Sequence, residues 1–118
     1  MKLYTYQGCS TCKAAVKWLR ARGIAFDEIP IRETPPTLAE LRAMLAAHGG
    51  ELRPLFNTSG LDYRALGLKD KLPAMTQDEA LKLLSTTGNL VKRPFAIDTK
   101  RGIHLTGFHE EAWAAALV

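Results

Sequence analysis

Long hydrophobic runs and cysteines are scarce in this sequence. No stretch of about 18 consecutive apolar residues occurs, which argues against a membrane-spanning helix. The N-terminus enters a strand-like pattern without a basic-then-apolar leader, so we expect no signal peptide and a cytoplasmic location. The chain has only two cysteines, and a structural disulfide is not expected to persist in that compartment.

Charge of one sign is not concentrated anywhere along the chain. The 16 Lys and Arg residues against 12 Asp and Glu give a formal net charge of +4, and the bases occur singly or in pairs. Nucleic-acid-binding proteins usually concentrate basic residues on one face. We therefore expect a solvated basic surface, no direct nucleic-acid partner and no membrane partner.

What is present is typical of one globular domain, since 47% of the 118 residues are hydrophobic and 24% are charged. We expect a single monomeric domain over residues 1–118. Its start has the pattern of a β-α-β unit. Residues 3–6 have strand propensity, a helical spacing of apolar residues follows over about residues 10–22 and ends at Gly23, and residues 24–31 alternate as a second strand.

The rest of the chain is predicted to be helical first and then to form a hairpin and a closing helix. Two capping boxes, in which a threonine is followed three residues later by a glutamate, open helices at Thr37 and Thr76. The predicted elements are, in order, helices over about residues 37–48, 62–66 and 76–85, strands over 89–98 and 103–106, and a final helix over 110–117.

This order of elements is that of the thioredoxin-like (glutaredoxin-type) α/β fold. A β-α-β half and a β-β-α half together form one mixed sheet, and a helical insert lies between them. We expect the thioredoxin-like core to comprise about residues 1–33 and 88–118, with the insert over about residues 34–87.

The two cysteines, Cys9 and Cys12, lie three positions apart at the predicted junction of strand and helix. This spacing brings both thiols to the first helical turn, where they could form a reversible disulfide. A free thiol has a pKa near ~8.5, whereas Cys-x-x-Cys thiols at helix starts fall to roughly 3.5–7.5. We therefore expect Cys9, at the helix N-terminus, to attack, and the more buried Cys12 to resolve the mixed disulfide. Lys13 could add positive charge nearby.

Two other interpretations of the cysteines remain open. They could be small core residues that meet by chance. A zinc site would need more ligands, and only the three histidines, His48, His104 and His109, are candidates, at spacings that do not match a finger. We expect these histidines to be structural or exposed, with His48 at a helix C-terminus, and we expect no metal.

Pro94 is unusual because it precedes an apolar strand, where proline cannot donate a ladder hydrogen bond. A cis Arg93–Pro94 bond at the start of the strand would account for it, and the thioredoxin-like fold favours that interpretation. A trans proline at a sheet edge is the alternative. In the cis form, Arg93 would direct its guanidinium toward the thiols and could bind an anion or carboxylate.

Four stretches together resemble the arsenate reductase (ArsC) superfamily, which includes YffB-like proteins and Spx-type regulators. They are LYTYQGCSTCKAAVKWLRARGI, LFNTSGLDYRALGL, LVKRPFAID and HLTGFHEEAW, in family order. The resemblance implies a thioredoxin-like fold with a helical insert. It also implies that Cys9 matches the family's catalytic cysteine and Arg93 one of three oxyanion-binding arginines. The positions of the other two fall near Asn57 and Gly107, so a dedicated arsenate reductase is the less favoured alternative.

The leading hypothesis is a thiol–disulfide oxidoreductase that is linked to glutathione or thioredoxin. Its catalytic residues would be Cys9, Cys12 and Arg93, and its substrate a small thiol or disulfide. Residues expected to bind the substrate are Gly8, Ser10, Thr11, Lys13 and Pro94, the first three through backbone N–H groups near the helix start. Glutathione would be a co-substrate, thioredoxin or glutaredoxin a partner, and no tightly bound cofactor is expected. The alternative of another class is an Spx-type redox switch that binds the RNA polymerase α-subunit.

Overall fold

The computed structural model describes all 118 residues, which form a four-stranded sheet and six α-helices. The strands are β1 (Lys2–Thr5), β2 (Asp27–Pro30), β3 (Phe95–Asp98) and β4 (Ile103–Thr106). The helices are α1 (Ser10–Ala21), α2 (Leu38–Ala47), α3 (Leu61–Ala65), α4 (Leu68–Lys71), α5 (Gln77–Thr86) and α6 (Glu110–Leu117). None of the helices combines the length and the apolar character that a bilayer crossing requires.

The sheet is mixed, with the strand order β2-β1-β3-β4. Strands β1 and β2 are parallel and are connected through α1, as parallel neighbours require a crossover. Strand β3 runs antiparallel to both β1 and β4. Helices α2 to α5 lie between β2 and β3 in the chain. The predicted thioredoxin-like sheet with a helical insert is therefore confirmed.

Alternating side chains of the sheet divide the interior into two cores. Leu3 of β1 packs with Trp18 of α1 and Trp113 of α6 on one face, where the two indole rings meet edge to face at 6.3 Å. Tyr4 points to the opposite face, where its ring meets that of Phe95 at 5.7 Å and packs among apolar side chains of α2 to α5. Burial on both faces fixes the register of β1, because a shift by one residue would exchange the two sets.

The local signals of the sequence correspond closely to the observed elements. Thr37 and Thr76 each cap a helix, and in both cases the reciprocal hydrogen bonds of a capping box are formed. Strand β4 and helix α6 span the predicted residues. The sequence did not predict α4, a single turn that follows Gly67 in the left-handed conformation (φ +63°).

Two predicted strands are shorter than expected. The strand predicted over residues 24–31 is confined to β2 at Asp27–Pro30, and that predicted over 89–98 is confined to β3 at Phe95–Asp98. Before β3, the chain forms a 3₁₀ turn at Gly88–Leu90 and a single bridge between Val91 and Phe56. Regular pairing starts only after Pro94, which lacks the N–H that a ladder needs.

The 3₁₀ turn at Gly88 packs directly against the end of β2. A Cβ atom on Gly88 would lie 1.9 Å from the carbonyl oxygen of Ile31 and 3.0 Å from the Cα of Arg32. Only glycine permits such a close approach of two backbones. This contact brings the segment before β3 next to the segment after β2, and both segments contribute to the site described below.

Candidate active site

Cys9 is the N-cap residue of α1. Its backbone is extended (φ −94°, ψ 113°), and its Sγ accepts a hydrogen bond from the N–H of Cys12 at 3.3 Å. The side chain is partly exposed. The thiol thus lies at the end of the helix where unpaired N–H groups and the helix dipole favour negative charge. This is the position that the sequence predicted for the attacking sulfur.

Gly8 allows the chain to turn into the helix next to the ring of Tyr6. A Cβ atom on Gly8 would lie 2.7 Å from Cε2 of Tyr6. The N–H of Cys9 then donates to the carbonyl oxygen of Tyr6 at 3.0 Å, which closes the turn. A side chain at position 8 would therefore displace the Tyr6 ring.

Cys12 is buried, with 2% of its surface exposed. Burial, with smaller contributions from the neighbouring Cys9, raises the pKa of its thiol to about 12, whereas a backbone hydrogen bond from Tyr6 and the charge of Arg93 act to lower that pKa. At neutral pH Cys12 is therefore a protonated thiol. Both cysteines are free, and they lie next to each other on the first turn of α1.

The backbone around Cys9 provides unused hydrogen-bond donors. The N–H groups of Gly8, Ser10 and Thr11 have no hydrogen-bond acceptor within the chain, and all three residues are exposed. The N–H of Lys13 is different, since it donates to the carbonyl oxygen of Cys9 at 3.1 Å. Three backbone donors are therefore free to meet an anion near the Cys9 sulfur.

The Arg93–Pro94 peptide bond is cis, as the sequence predicted, and Pro94 is buried. Neither the N–H nor the C=O of Arg93 takes part in a backbone hydrogen bond. The guanidinium carbon of Arg93 lies 4.9 Å from the centroid of the Tyr6 ring, and its Nη1 atom is buried without a hydrogen-bond partner. The backbone and the side chain of Arg93 therefore both have unused hydrogen-bonding capacity at this edge.

Sequence reasoning missed Arg32, which lies with Arg93 at the Tyr6 ring. Its guanidinium carbon also lies 4.9 Å from the centroid of the Tyr6 ring. Both arginines line one cleft of about 300 Å³, together with Asn57 and Asn89. A signal was available, because Arg32 follows the end of β2, and the ends of the parallel strands β1 and β2 meet at one edge of the sheet.

A second cleft has a volume of about 430 Å³. Cys12 and Tyr6 line it, together with three bases on one face of α1: Lys13, Lys17 and Arg20. Tyr6 lines both clefts. Lys13 thus lies beside Cys12 rather than in the cleft that contains Arg93.

The three histidines lie outside these clefts. His48 is the C-cap residue of α2, as expected, and its Nδ1 is 2.9 Å from the carbonyl oxygen of Met44. His104 lies on β4, and His109 precedes α6. No group of three or more His, Cys, Asp or Glu side chains is arranged to hold a metal ion.

Comparison with known proteins decides the family. The family model described as the ArsC family matches residues 4–116. The chain belongs to the ArsC family. It is 43% identical to the uncharacterized protein YusI of Bacillus subtilis, over 97% of this chain and 98% of that protein. Among solved structures, a protein of Bacteroides fragilis described as related to the ArsC family is 39% identical, with a TM-score of 0.89 over 98% of this chain and 95% of the other.

Relatives within the ArsC family carry names from two functional classes. The chain is 30% identical to the global transcriptional regulator Spx of Enterococcus faecalis, over 94% of this chain and 81% of that protein. It is also 30% identical to an arsenate reductase of Rhizobium meliloti, over 80% of this chain and 66% of that protein. Membership of the ArsC family therefore leaves the specific activity to be inferred from the site.

The two positions at which the sequence lacks the arginines of ArsC-type arsenate reductases differ in their surroundings. Asn57 lines the cleft that contains Arg93, so an uncharged amide stands there. Gly107 has φ +67°, a left-handed conformation that disfavours any residue with a Cβ atom. An arginine at position 107 would therefore strain the backbone of this chain.

Proposed function

We propose that this ArsC-family protein is a thiol–disulfide oxidoreductase that acts on small disulfides. The observation that carries the proposal is the asymmetry of the two thiols. Cys9 is partly exposed at the helix N-terminus, whereas Cys12 is buried and its pKa is raised to about 12. The Cys9 sulfur is accessible to a substrate, whereas the Cys12 sulfur is buried next to it.

In the first step, the Cys9 thiolate attacks one sulfur of a disulfide. The new bond joins Sγ of Cys9 to that sulfur, the substrate's S–S bond breaks, and the leaving thiolate takes up a proton. The free N–H groups of Gly8, Ser10 and Thr11 and the charge of Arg93 stabilise negative charge on the reacting groups. The unpaired N–H and C=O of Arg93, beside Pro94, are suited to hold an extended substrate chain.

In the second step, Cys12 loses its proton and attacks Sγ of Cys9. The Cys9–Cys12 bond forms, and the mixed disulfide breaks to release the second thiolate. In total, the substrate disulfide gains two electrons and two protons, and the protein dithiol becomes a disulfide. A cytoplasmic thiol, glutathione or a thioredoxin-like protein, then restores the dithiol by two exchanges of the same kind.

Mass spectrometry after treatment with glutathione disulfide tests these roles. In the wild type we expect the Cys9–Cys12 disulfide and no lasting adduct. In Cys12→Ser we expect one glutathione adduct, which peptide mapping assigns to Cys9, because no thiol is left to resolve it. In the matched variant Cys9→Ser we expect no adduct, since the buried Cys12 is protonated.

Two results would contradict the proposal. Absence of an adduct in Cys12→Ser would show that Cys9 is not the attacking thiol. Equal and lasting adducts in the wild type and in Cys12→Ser would show that Cys12 does not resolve the mixed disulfide.

A second candidate is a redox-switched regulator that binds the RNA polymerase α-subunit without turnover. It is supported by the identity of 30% to Spx over 94% of this chain and by the presence of both cysteines. Pull-down with the α-subunit in oxidising and reducing buffer separates the two functions. Capture that depends on the oxidation state supports the regulator, whereas no capture in either state, together with turnover of glutathione disulfide, removes it.

A dedicated arsenate reductase has less support. The relative of that name is 30% identical over 80% of this chain. The resemblance to ArsC-type reductases nevertheless places two further oxyanion-binding arginines near Asn57 and Gly107, and neither arginine is present in this chain. Each charge-assisted hydrogen bond that is lost weakens binding of a divalent oxyanion by about 1.5–3 kcal/mol.

A further inference from the structure

Two arginines at the site have no anionic partner within the chain. Arg32 and Arg93 lie over the same aromatic ring, each 4.9 Å from the centroid of Tyr6, so their guanidinium carbons are less than about 10 Å apart. The ion pairs of the chain involve other residues. Asp62 is the acidic residue in the lining of the cleft, and it forms no ion pair with either arginine.

An anion between the two arginines would stabilise this arrangement. Arg32 is exposed, so water screens its repulsion with Arg93, and the contacts of both guanidinium groups with the Tyr6 ring offset that repulsion. The unmet requirement is at Arg93, whose Nη1 is buried without a hydrogen-bond partner. A buried donor on a charged group is stabilised most by a charged acceptor.

The geometry points to Arg32 as a second anion-binding residue, which with Arg93 holds a carboxylate of the thiol or disulfide substrate. The inference rests on the proposed function and adds a class of substrate to it: small disulfides with a free carboxylate. Neither the spacing of the cysteines nor the arginines expected from the family resemblance indicated Arg32.

The size and lining of the cleft favour a carboxylate on an organic molecule over an inorganic oxyanion. Its volume of about 300 Å³ is at the lower end of the range for small-molecule sites and greatly exceeds the volume of one oxyanion. Asn57 and Asn89 add neutral amide donors and acceptors, which suit the polar atoms of a peptide or amino acid.

Binding of S-methylglutathione, a thioether that cannot react with Cys9, tests the inference independently of turnover. We expect Arg32→Gln to weaken its binding, measured by calorimetry or NMR titration, by at least about tenfold, the effect of losing a charge-assisted hydrogen bond. The dimethyl ester, which lacks the carboxylates, should bind weakly to the wild type and should be unaffected by Arg32→Gln.

Arg22→Gln is the matched control. The guanidinium of Arg22 also lies over an aromatic ring, 4.1 Å from the centroid of Trp18. Arg22 follows the last residue of α1, about 15 Å along the helix from Cys12 and about 20 Å from Cys9. This variant removes the same charge and should leave the binding of S-methylglutathione unchanged.

The inference is overturned if Arg32→Gln binds S-methylglutathione as tightly as the wild type does, or if Arg22→Gln loses as much affinity as Arg32→Gln. It is also overturned if phosphate binds as tightly as S-methylglutathione and its binding is equally sensitive to Arg32→Gln. The proposed function fails separately. If Cys12→Ser forms no adduct with glutathione disulfide while S-methylglutathione binds in an Arg32-dependent way, the subsite stands and the oxidoreductase does not.

Discussion

Alkylation of Cys12 offers a direct test of how burial controls the reactivity of this site. Cys12 is 2% exposed, and burial raises its pKa to about 12. At pH 7 a few per cent of free cysteine thiols with a pKa of ~8.5 are ionised, and the ionised fraction of Cys12 is far smaller. The thiolate is the nucleophile, and its intrinsic reactivity rises with its pKa (Brønsted β of ~0.4–0.5), which offsets part of the lower ionisation. Iodoacetamide should therefore modify Cys12 roughly a hundredfold more slowly than an ordinary thiol.

The measurement uses Cys9→Ser, in which serine, a favoured N-cap residue, retains an acceptor for the N–H of Cys12. The rate is followed by mass spectrometry between pH 6 and about 9, with the same variant unfolded in guanidinium as the control. Removing Cys9 takes away the hydrogen bond and the charge with which it raises the pKa of Cys12, but burial, the largest cause, remains. In the folded protein the rate should therefore still rise about tenfold per pH unit across this range, because the thiol titrates only near its raised pKa. Steric protection would lower the rate without changing this slope.

The reasoning is refuted if folded and unfolded protein react at equal rates, or if the rate in the folded protein levels off near pH 8 or 9. Arg93→Gln provides a second check. The charge of Arg93 lowers the pKa of Cys12, so its removal should raise that pKa further and slow alkylation. Faster alkylation in Arg93→Gln would mean that Arg93 mainly shields the sulfur.

Two further predictions concern stability, measured by urea unfolding. The hydroxyl of Tyr4 donates to Oε1 of Glu40 at 2.6 Å. Burial acts to raise the pKa of Glu40, but hydrogen bonds hold that pKa below its usual range, and the bond from Tyr4 contributes most among them. Tyr4→Phe should lower the free energy of unfolding by about 1.5–3 kcal/mol at pH 7. This difference from the wild type should shrink as the pH falls below ~4.3 through the lowered pKa of Glu40, because the protonated carboxyl is a weaker acceptor. A loss independent of pH would contradict this. Gly88→Ala should cost more than about 3 kcal/mol or prevent folding, because its Cβ would lie 1.9 Å from the carbonyl oxygen of Ile31. Gly23 has a left-handed backbone (φ +66°), but a Cβ atom there would meet no other atom, so Gly23→Ala should lower the stability by only about 1–2 kcal/mol. Equal losses in the two variants would show that the close approach of the backbones at Gly88 is not the cause.

The elements that the sequence predicted well are those with local signals. The capping boxes at Thr37 and Thr76 place hydrogen bonds within four residues, so the starts of α2 and α5 need no tertiary information. The limits of β2 and β3 depend on distant contacts, such as the packing of Gly88 against the end of β2. No local pattern around residue 88 indicates what lies against it.

The candidate site also has features that local sequence signals predict and features that depend on distant contacts. The pairing of Cys9 with Cys12 follows from their spacing on one helical turn, and the cis bond before Pro94 followed from the predicted fold. Arg32 was missed because it is separated from Arg93 by 61 positions and meets it only where the strand ends and the turn at Gly88 converge. Residue type alone gave no reason to single it out among the 16 bases.

The hydrogen bond between the amide of Cys12 and the sulfur of Cys9 has a consequence for spectroscopy. In the proposed mechanism Cys12 resolves the mixed disulfide, and its own backbone N–H is directed at the sulfur that its side chain would attack. When that sulfur becomes part of a disulfide it is a weaker acceptor than a thiolate, so the amide proton of residue 12 should change its chemical shift and its exchange with solvent. A single backbone resonance thus reports the chemical state of the neighbouring sulfur without any added label.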